Sequence, residues 1–169
     1  SAKKRGVEIG CGEAHLLDYL LQKKTINSSV VALDLNPSDL EFAQSRYPYF
    51  SYVQGNAEFA PLQDEMFDFV IVLEVLEHVE NPRKVLAEIL RIAKPGASIL
   101  ISVPNEPYFH LANLLRGKYV GRFGKTPNHL SFWNVSQFSR LLRDFFIIDE
   151  KHCFSVFPWQ LYLCRSKTS

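Results

Sequence analysis

Methionine occurs once in these 169 residues and cysteine three times, at Cys11, Cys153 and Cys164, with no Cys-x-x-Cys pair. An odd, unpaired set does not make a disulfide framework, so the expected setting is a reducing, intracellular one, the cytoplasm. No apolar run approaches the ~18–20 residues that span a bilayer. The longest, residues 69–79, is broken by Glu74, Glu77 and His78. No secretory leader pattern is visible. There is no excess of one charge either: 19 Lys and Arg against 18 Asp and Glu leave a net +1. The bulk charge therefore points neither to nucleic acid nor to an anionic membrane. Internal repeats and low-complexity tracts are missing as well.

What is present is a hydrophobic content of 47%, enough to bury a substantial core, in a length that suits one domain over residues 1–169. Apolar patterning alternates between two periods. Residues 5–9 form a short apolar run ending in Gly10-Cys11-Gly12. Residues 14–24 carry Leu16, Leu17, Leu20 and Leu21 at helical spacing. A second strand over 30–35 ends at Asp34, and Asn36-Pro37 caps a helix to about Arg46. Strands follow at 50–54 and 67–73. Asn81-Pro82 opens a helix to about Ala93, Lys94-Pro95-Gly96 makes a turn, and 98–103 is the fifth strand. Asn134, with Gln137 in the capping-box position, opens a helix over 135–143, and two late strands follow at 145–151 and 156–164. Strands alternating with helices imply βαβ units and a parallel sheet. The final pair has too short a connection for a parallel crossover, which needs about a dozen residues, so it should be antiparallel. One insertion, 104–133, interrupts the series.

In an open α/β sheet, ligands bind outside the carboxyl ends of the strands. Four such ends carry chemistry. Gly10-Cys11-Gly12 lets the backbone turn sharply and approach a ligand, ahead of a helix N-terminus that favours an anion; a plain strand-to-helix turn would look the same. A dinucleotide fingerprint would put glycine at position 15, where His15 stands. Asp34 could accept from both hydroxyls of a ribose, or cap a loop. Asn56, in Gly55-Asn56-Ala57-Glu58, offers donor and acceptor to a heterocycle edge, or makes an ordinary turn. Glu74, Glu77 and His78 have the i, i+3, i+4 spacing of one helical face. They could hold a divalent cation, line a pocket, or form a solvated turn.

At this point the sequence resembles the class I S-adenosylmethionine-dependent methyltransferases, most of all the branch that includes the ubiquinone and menaquinone biosynthesis enzymes. Glu8-Ile9-Gly10-Cys11-Gly12 is similar to that family's first motif. Asp34 matches its ribose-binding acid, Gly55-Asn56-Ala57-Glu58 its adenine-side loop, and residues 67–79 its fourth strand. The resemblance implies an α/β, Rossmann-like three-layer sandwich with a seven-stranded, mostly parallel sheet whose last strand is antiparallel. It also implies S-adenosylmethionine as cofactor, held by Glu8, Gly10, Cys11, Gly12, Asp34, Leu35, Asn56, Ala57, Glu58, Leu73 and Glu74. In some quinone O-methyltransferases the residues matching Glu74, Glu77 and His78 bind a divalent metal. Two departures stand out. Ala14 occupies the place of a third glycine, tolerable where that position is already helical. The chain also starts almost at its first strand, where relatives carry helices that cover the cofactor.

Methyl transfer to a hydroxyl benefits from a base, and the candidates are His129, His78 and His110. The insertion 104–133 reads as a substrate lid. It holds Arg116, Lys118, Arg122 and Lys125 against Glu106 alone, a net +3, with aromatics and leucines interleaved and a short amphipathic helix at 108–116. That mixture suits a small amphipathic or anionic acceptor such as a quinol, a lipid or a small acid. Over 108–125 it also suits peripheral contact with a membrane. The alternatives are a non-catalytic, partner-dependent subunit that keeps the fold, and a protein or nucleic-acid methyltransferase, although no Asn-Pro-Pro-Tyr-like motif is present.

Overall fold

The computed structural model describes residues 4–106, 108–123, 125–152 and 158–167. The elements in order are β1 (Gly6–Ile9), α1 (His15–Gln22), β2 (Val30–Asp34), α2 (Pro37–Arg46), β3 (Ser51–Gln54), β4 (Phe67–Leu73), α3 (Pro82–Ile92) and β5 (Ala93–Pro104). Then come α4 (Tyr108–Leu115), α5 (Val135–Phe145), β6 (Phe146–His152) and β7 (Trp159–Ser166). The strands form one seven-stranded sheet in the order β3-β2-β1-β4-β5-β7-β6. β1 pairs in parallel with β2 and β4, and β4 in parallel with β5, while β7 runs antiparallel to both β5 and β6. No helix among the described residues is long and apolar enough to cross a membrane.

The helices start where the caps demand. Asn36, Asn81 and Asn134 each accept a backbone N–H of the following turn, with Pro37 and Pro82 at first helical positions. At Asn134 the Gln137 side chain also reaches back to the cap's own N–H, completing a capping box. Alternation along each strand then supplies two cores. On one face Val7, Ile9, Val70, Val72, Ile99 and Ile101 meet Leu86 and Ile89 of α3 and Phe138 and Leu142 of α5. On the other, Val30 and Ala32 meet Leu17 of α1 and Leu40 and Ala43 of α2. Each such aliphatic side chain contributes about 1.5–3 kcal/mol by leaving water.

Lys94-Pro95-Gly96, expected as a turn between helix and strand, lies within β5. Ala93 pairs with Phe67 and Ser98 with Phe69, so the intervening residues bulge out of the ladder, with Gly96 at φ 75°. Ser166 satisfies the bulge from β7: its Oγ accepts from Ala97 N at 3.0 Å and donates to Lys94 O at 2.7 Å. β7 begins at Trp159; the start expected near Val156 lies outside the described residues, as does Cys153.

Gly6 makes room for Phe69. A Cβ at Gly6 would lie 2.0–2.6 Å from three carbons of that ring. Gly6→Ala must displace the ring from the α1-side core and is expected to destabilise by about 1–3 kcal/mol. Urea unfolding measures this, and an unchanged midpoint would mean that the ring yields freely.

Candidate functional site

The chain leaves β1 to build β2 and β3 on one side, then returns past β1 to build β4 on the other. The loops after β1 and β4 therefore diverge from adjacent strands, which is where an open α/β sheet forms a crevice. Gly10 sits at that point with φ 74°, and a Cβ there would lie 2.3 Å from Val75 Cγ2. The two loops are thus in contact through a residue that has no side chain. A pocket of about 310 Å³ opens beside them, lined by Gly10, Leu33, Asp34, Leu35, Gly55, Asn56, Ala57, Glu74, Val75, His78 and Val79.

Of the residues picked from the sequence, Gly10, Asp34, Leu35, Asn56, Ala57, Glu74 and His78 line this pocket. Val75 and Val79 line it too and were not singled out, because nothing about an isolated valine marks it. Glu8 lies beneath, 4% exposed, with Oε2 buried and unpartnered. Burial, and then the charge of Asp34, push its carboxyl up to about 8. Cys11 is buried, its thiol pushed up to about 12 mainly by burial, so it does not act as a nucleophile. Gly12 donates its N–H to Asp34 Oδ2 at 2.7 Å, while Asn36 N donates to Oδ1 at 2.8 Å. Leu73 ends β4, half-buried and outside the lining.

Three expectations change. Ala14 is not yet helical: it sits at the N-cap of α1 with φ 58°, fully buried, so it carries the left-handed strain that a third glycine would have avoided. Glu58 faces away from the pocket and accepts the Asn81 N–H at 2.9 Å, tying its turn to the start of α3. Asn56 spends one lone pair of its amide oxygen on the Glu58 N–H at 2.8 Å, and its NH₂ donates no hydrogen bond to a described residue.

The fourth change concerns the Glu74, Glu77, His78 set. The chain after β4 makes turns instead of a helix, and Glu74 takes φ 56°. Its two carboxylate oxygens accept from Ser102 Oγ at 2.7 Å and Trp159 Nε1 at 2.8 Å, away from the other two. His129 takes its place. Ligand atoms of Glu77, His78 and His129 lie within 4.8 Å of one another. Glu77 is 1% exposed with both carboxylate oxygens unpartnered, and His129 Nδ1 is likewise buried and bare. His78 Nδ1 is 2.9 Å from the carbonyl of Asn128. A carbonyl only accepts, so Nδ1 carries a proton, and Nε2 lies 3.9 Å from Glu77 Oε1. The 104–133 insertion is pinned here by its backbone, with Leu130 N donating to Glu77 O at 2.7 Å.

Aromatic packing extends the cluster under the lid. His129 stacks on Phe109 at 5.5 Å and meets His78 edge-on at 4.9 Å. Burial, then the neighbouring His78 and His110, push His129 down to about 4, so its ring is neutral at physiological pH. Burial, then the charges of Glu74 and Glu106, push Glu77 up to about 8. His110 Nε2 is 3.0 Å from Glu106 Oε2, but burial raises the acid to about 7 and lowers the imidazole, the behaviour of an uncharged pair.

Residues 7–101 match the family described as the methyltransferase domain. Demethylmenaquinone methyltransferase of Renibacterium salmoninarum is 36% identical over 93 residues, 55% of this chain and 39% of that protein. Phthiotriol/phenolphthiotriol dimycocerosates methyltransferase 1 of Mycobacterium ulcerans is 34% identical over 100 residues, 57% of this chain and 36% of that protein. The chain therefore spans less than two fifths of the length of these relatives. A SAM-dependent methyltransferase structure from Methanosarcina mazei superposes with a TM-score of 0.77 at 19% identity, covering 100% of this chain and 95% of that one. At that identity the likeness is one of fold.

The Glu77 carboxyl, raised by burial, favours folding in its protonated form. That contribution is complete below its ordinary value of 4.5 and is lost as pH rises through about 8. Glu77→Gln should match the wild-type Tm at about pH 4 and exceed it at about pH 9, in metal-free buffer. Equal curves across the range would show that Glu77 is already solvated.

Proposed function

The chain belongs to the methyltransferase-domain family, and we propose that it transfers a methyl group from S-adenosylmethionine to a small acceptor of amphipathic or anionic character. The observation that carries this reading is the switch-point pocket, where Gly10, Asp34, Asn56 and Glu74 share one cavity. The cofactor suits these residues. The bare Glu8 oxygen at the base of the glycine loop suits a cationic amine. Each Asp34 oxygen keeps a lone pair for a ribose hydroxyl after accepting from Gly12 or Asn36. The Asn56 NH₂ is a donor for a heterocycle edge. Leu35 and Ala57 offer apolar walls, Cys11 is buried after β1 and Leu73 ends β4, and Glu58 acts by holding the Asn56 turn against α3.

When bound, S-adenosylmethionine supplies a sulfonium methyl group already activated for in-line displacement. The task left to the protein is alignment and the exclusion of water. His129, neutral and with Nδ1 bare, is the group we assign to take the nucleophile's proton, with His78 next to it as the second candidate. In a metal-loaded state, Glu77, His78 and His129 would instead hold a divalent cation, in place of the Glu74, Glu77, His78 set, and the ligating imidazole nitrogens would then not serve as bases. Two imidazoles and one carboxylate favour Zn²⁺ or Mn²⁺ over Mg²⁺. Residues 1–169 are read as one domain, with 104–133 as the lid that meets the acceptor. The named acceptors of the quinone and lipid relatives support a quinol or a lipid.

Calorimetry with S-adenosylmethionine tests the reading. The chain should bind it, and Asp34→Ala should weaken binding at least about tenfold, the worth of charged hydrogen bonds of about 1.5–3 kcal/mol. Gly10→Ala should also weaken it, since the added methyl meets Val75. No binding by the intact chain removes the proposal.

Titration of Zn²⁺ or Mn²⁺ into the protein alone tests the cation separately. One site is expected, weakened at least about tenfold by Glu77→Gln. An unchanged affinity would take the metal out of this site.

A further inference from the structure

The lid carries a surface that the methyl-transfer chemistry does not use. Every residue from Leu115 to Phe123 is exposed. α4 is inverted as an amphipathic helix: the polar Asn113 is buried at 6% exposure, while Leu111 and Leu115, one helical turn apart and so on one face, are 52% and 81% exposed. In the turn that follows, Val120 and Phe123 are exposed too, at 62% and 80%. Between them stand Arg116, Lys118 and Arg122, none in an ion pair with a described residue, and residues 108–125 contain no Asp or Glu at all. The chain's net charge is only +1, so this is a local concentration of cations and not a reflection of composition.

We propose that this face docks on an anionic lipid bilayer, with Leu111, Leu115, Val120 and Phe123 entering the headgroup region and Arg116, Lys118 and Arg122 pairing with acidic headgroups. A bilayer offers apolar depth and negative charge together, at the spacing of one short helix and its following turn. A polynucleotide would satisfy the cations and leave four apolar side chains in water. Large exposed aliphatic and aromatic groups within one segment of thirteen residues, 111–123, point to an interaction site. The opposite side of the same segment carries Phe109, stacked on His129 at the pocket mouth, so docking would set the bilayer against the lid. Delivery of a lipid-soluble acceptor by this route rests on the methyltransferase reading; the docking itself does not.

Vesicle co-sedimentation tests it with the full chain. The protein should pellet with vesicles of phosphatidylcholine and phosphatidylglycerol and stay in solution with phosphatidylcholine alone. Binding should weaken as salt is raised. Each of Arg116→Gln, Lys118→Gln and Arg122→Gln should weaken it about fivefold. The double variant Leu115→Glu, Phe123→Glu should abolish it, with circular dichroism unchanged because both sites are exposed. Failure to pellet with acidic vesicles, or undiminished pelleting of the double variant, overturns the proposal, including in favour of an acidic protein partner. Cofactor calorimetry on the same samples reports the methyltransferase reading independently of either outcome.

Discussion

The contact between Gly10 and Val75 is the constraint on which the site depends. A loop after β1 and a loop after β4 can meet only where one of them lacks a side chain, because a Cβ at Gly10 would lie 2.3 Å from Val75 Cγ2. Closing that gap seals the floor of the crevice that the strand order opens. It also fixes what stands around it. The turn carries Gly12 N to Asp34, which locks the carboxylate at the end of β2 toward the pocket. It leaves Glu8 sealed below with an oxygen that no protein group satisfies. Burial favours the neutral form of that carboxyl, which is raised to about 8.

A second polar cluster forms where the lid returns to the sheet. Glu77 and His78 come from the β4 side, and Glu106, His110 and His129 from the insertion. Backbone bonds, such as Leu130 N to Glu77 O at 2.7 Å, hold the two parts together. Burial shifts four of these groups toward their neutral forms: it raises Glu77 and Glu106 and lowers His110 and His129. A neutral imidazole accepts a proton or a cation as it stands, whereas the raised Glu77 carboxyl must give up its proton before it can hold a cation. The insertion is therefore joined to the carboxyl edge of the sheet by backbone bonds beside buried titratable groups, while residues 115–123 on it are exposed.

Much of the sheet was legible because its signals are local. Asn-Pro caps, apolar runs ending at glycine or aspartate, and a final connection too short for a crossover each act within a few residues, whereas the seven-stranded sheet was implied by the family resemblance and its strand order came with the structure. Asp34 and Gly10 could be found in the same way, since each sits at the end of a readable strand. The rest depended on backbone turns that no periodicity reports. Glu74, Glu77 and His78 have helical spacing, yet the left-handed φ at Glu74 turns its carboxylate to Ser102 and Trp159. Trp159 is 85 residues away in sequence and unreadable as a partner. His129 could be named as a base candidate, but its place beside Glu77 came only with the fold of the insertion.

Ala14 shows how a departure from a pattern is accommodated. Glycine in the left-handed region costs little, whereas alanine there costs roughly 1 kcal/mol. Against that, the Ala14 methyl is fully buried among Leu17, Val30 and Leu40, and a buried CH₂-sized group contributes about 0.8 kcal/mol. The two nearly cancel. The turn can therefore keep its shape with either residue, and the third glycine of the pattern is a matter of backbone ease where the first is one of space. Gly10 has a side chain pressed against it; position 14 only has a dihedral to bear. That difference is why the loop retains the ligand-facing geometry of the first glycine while tolerating alanine four residues on.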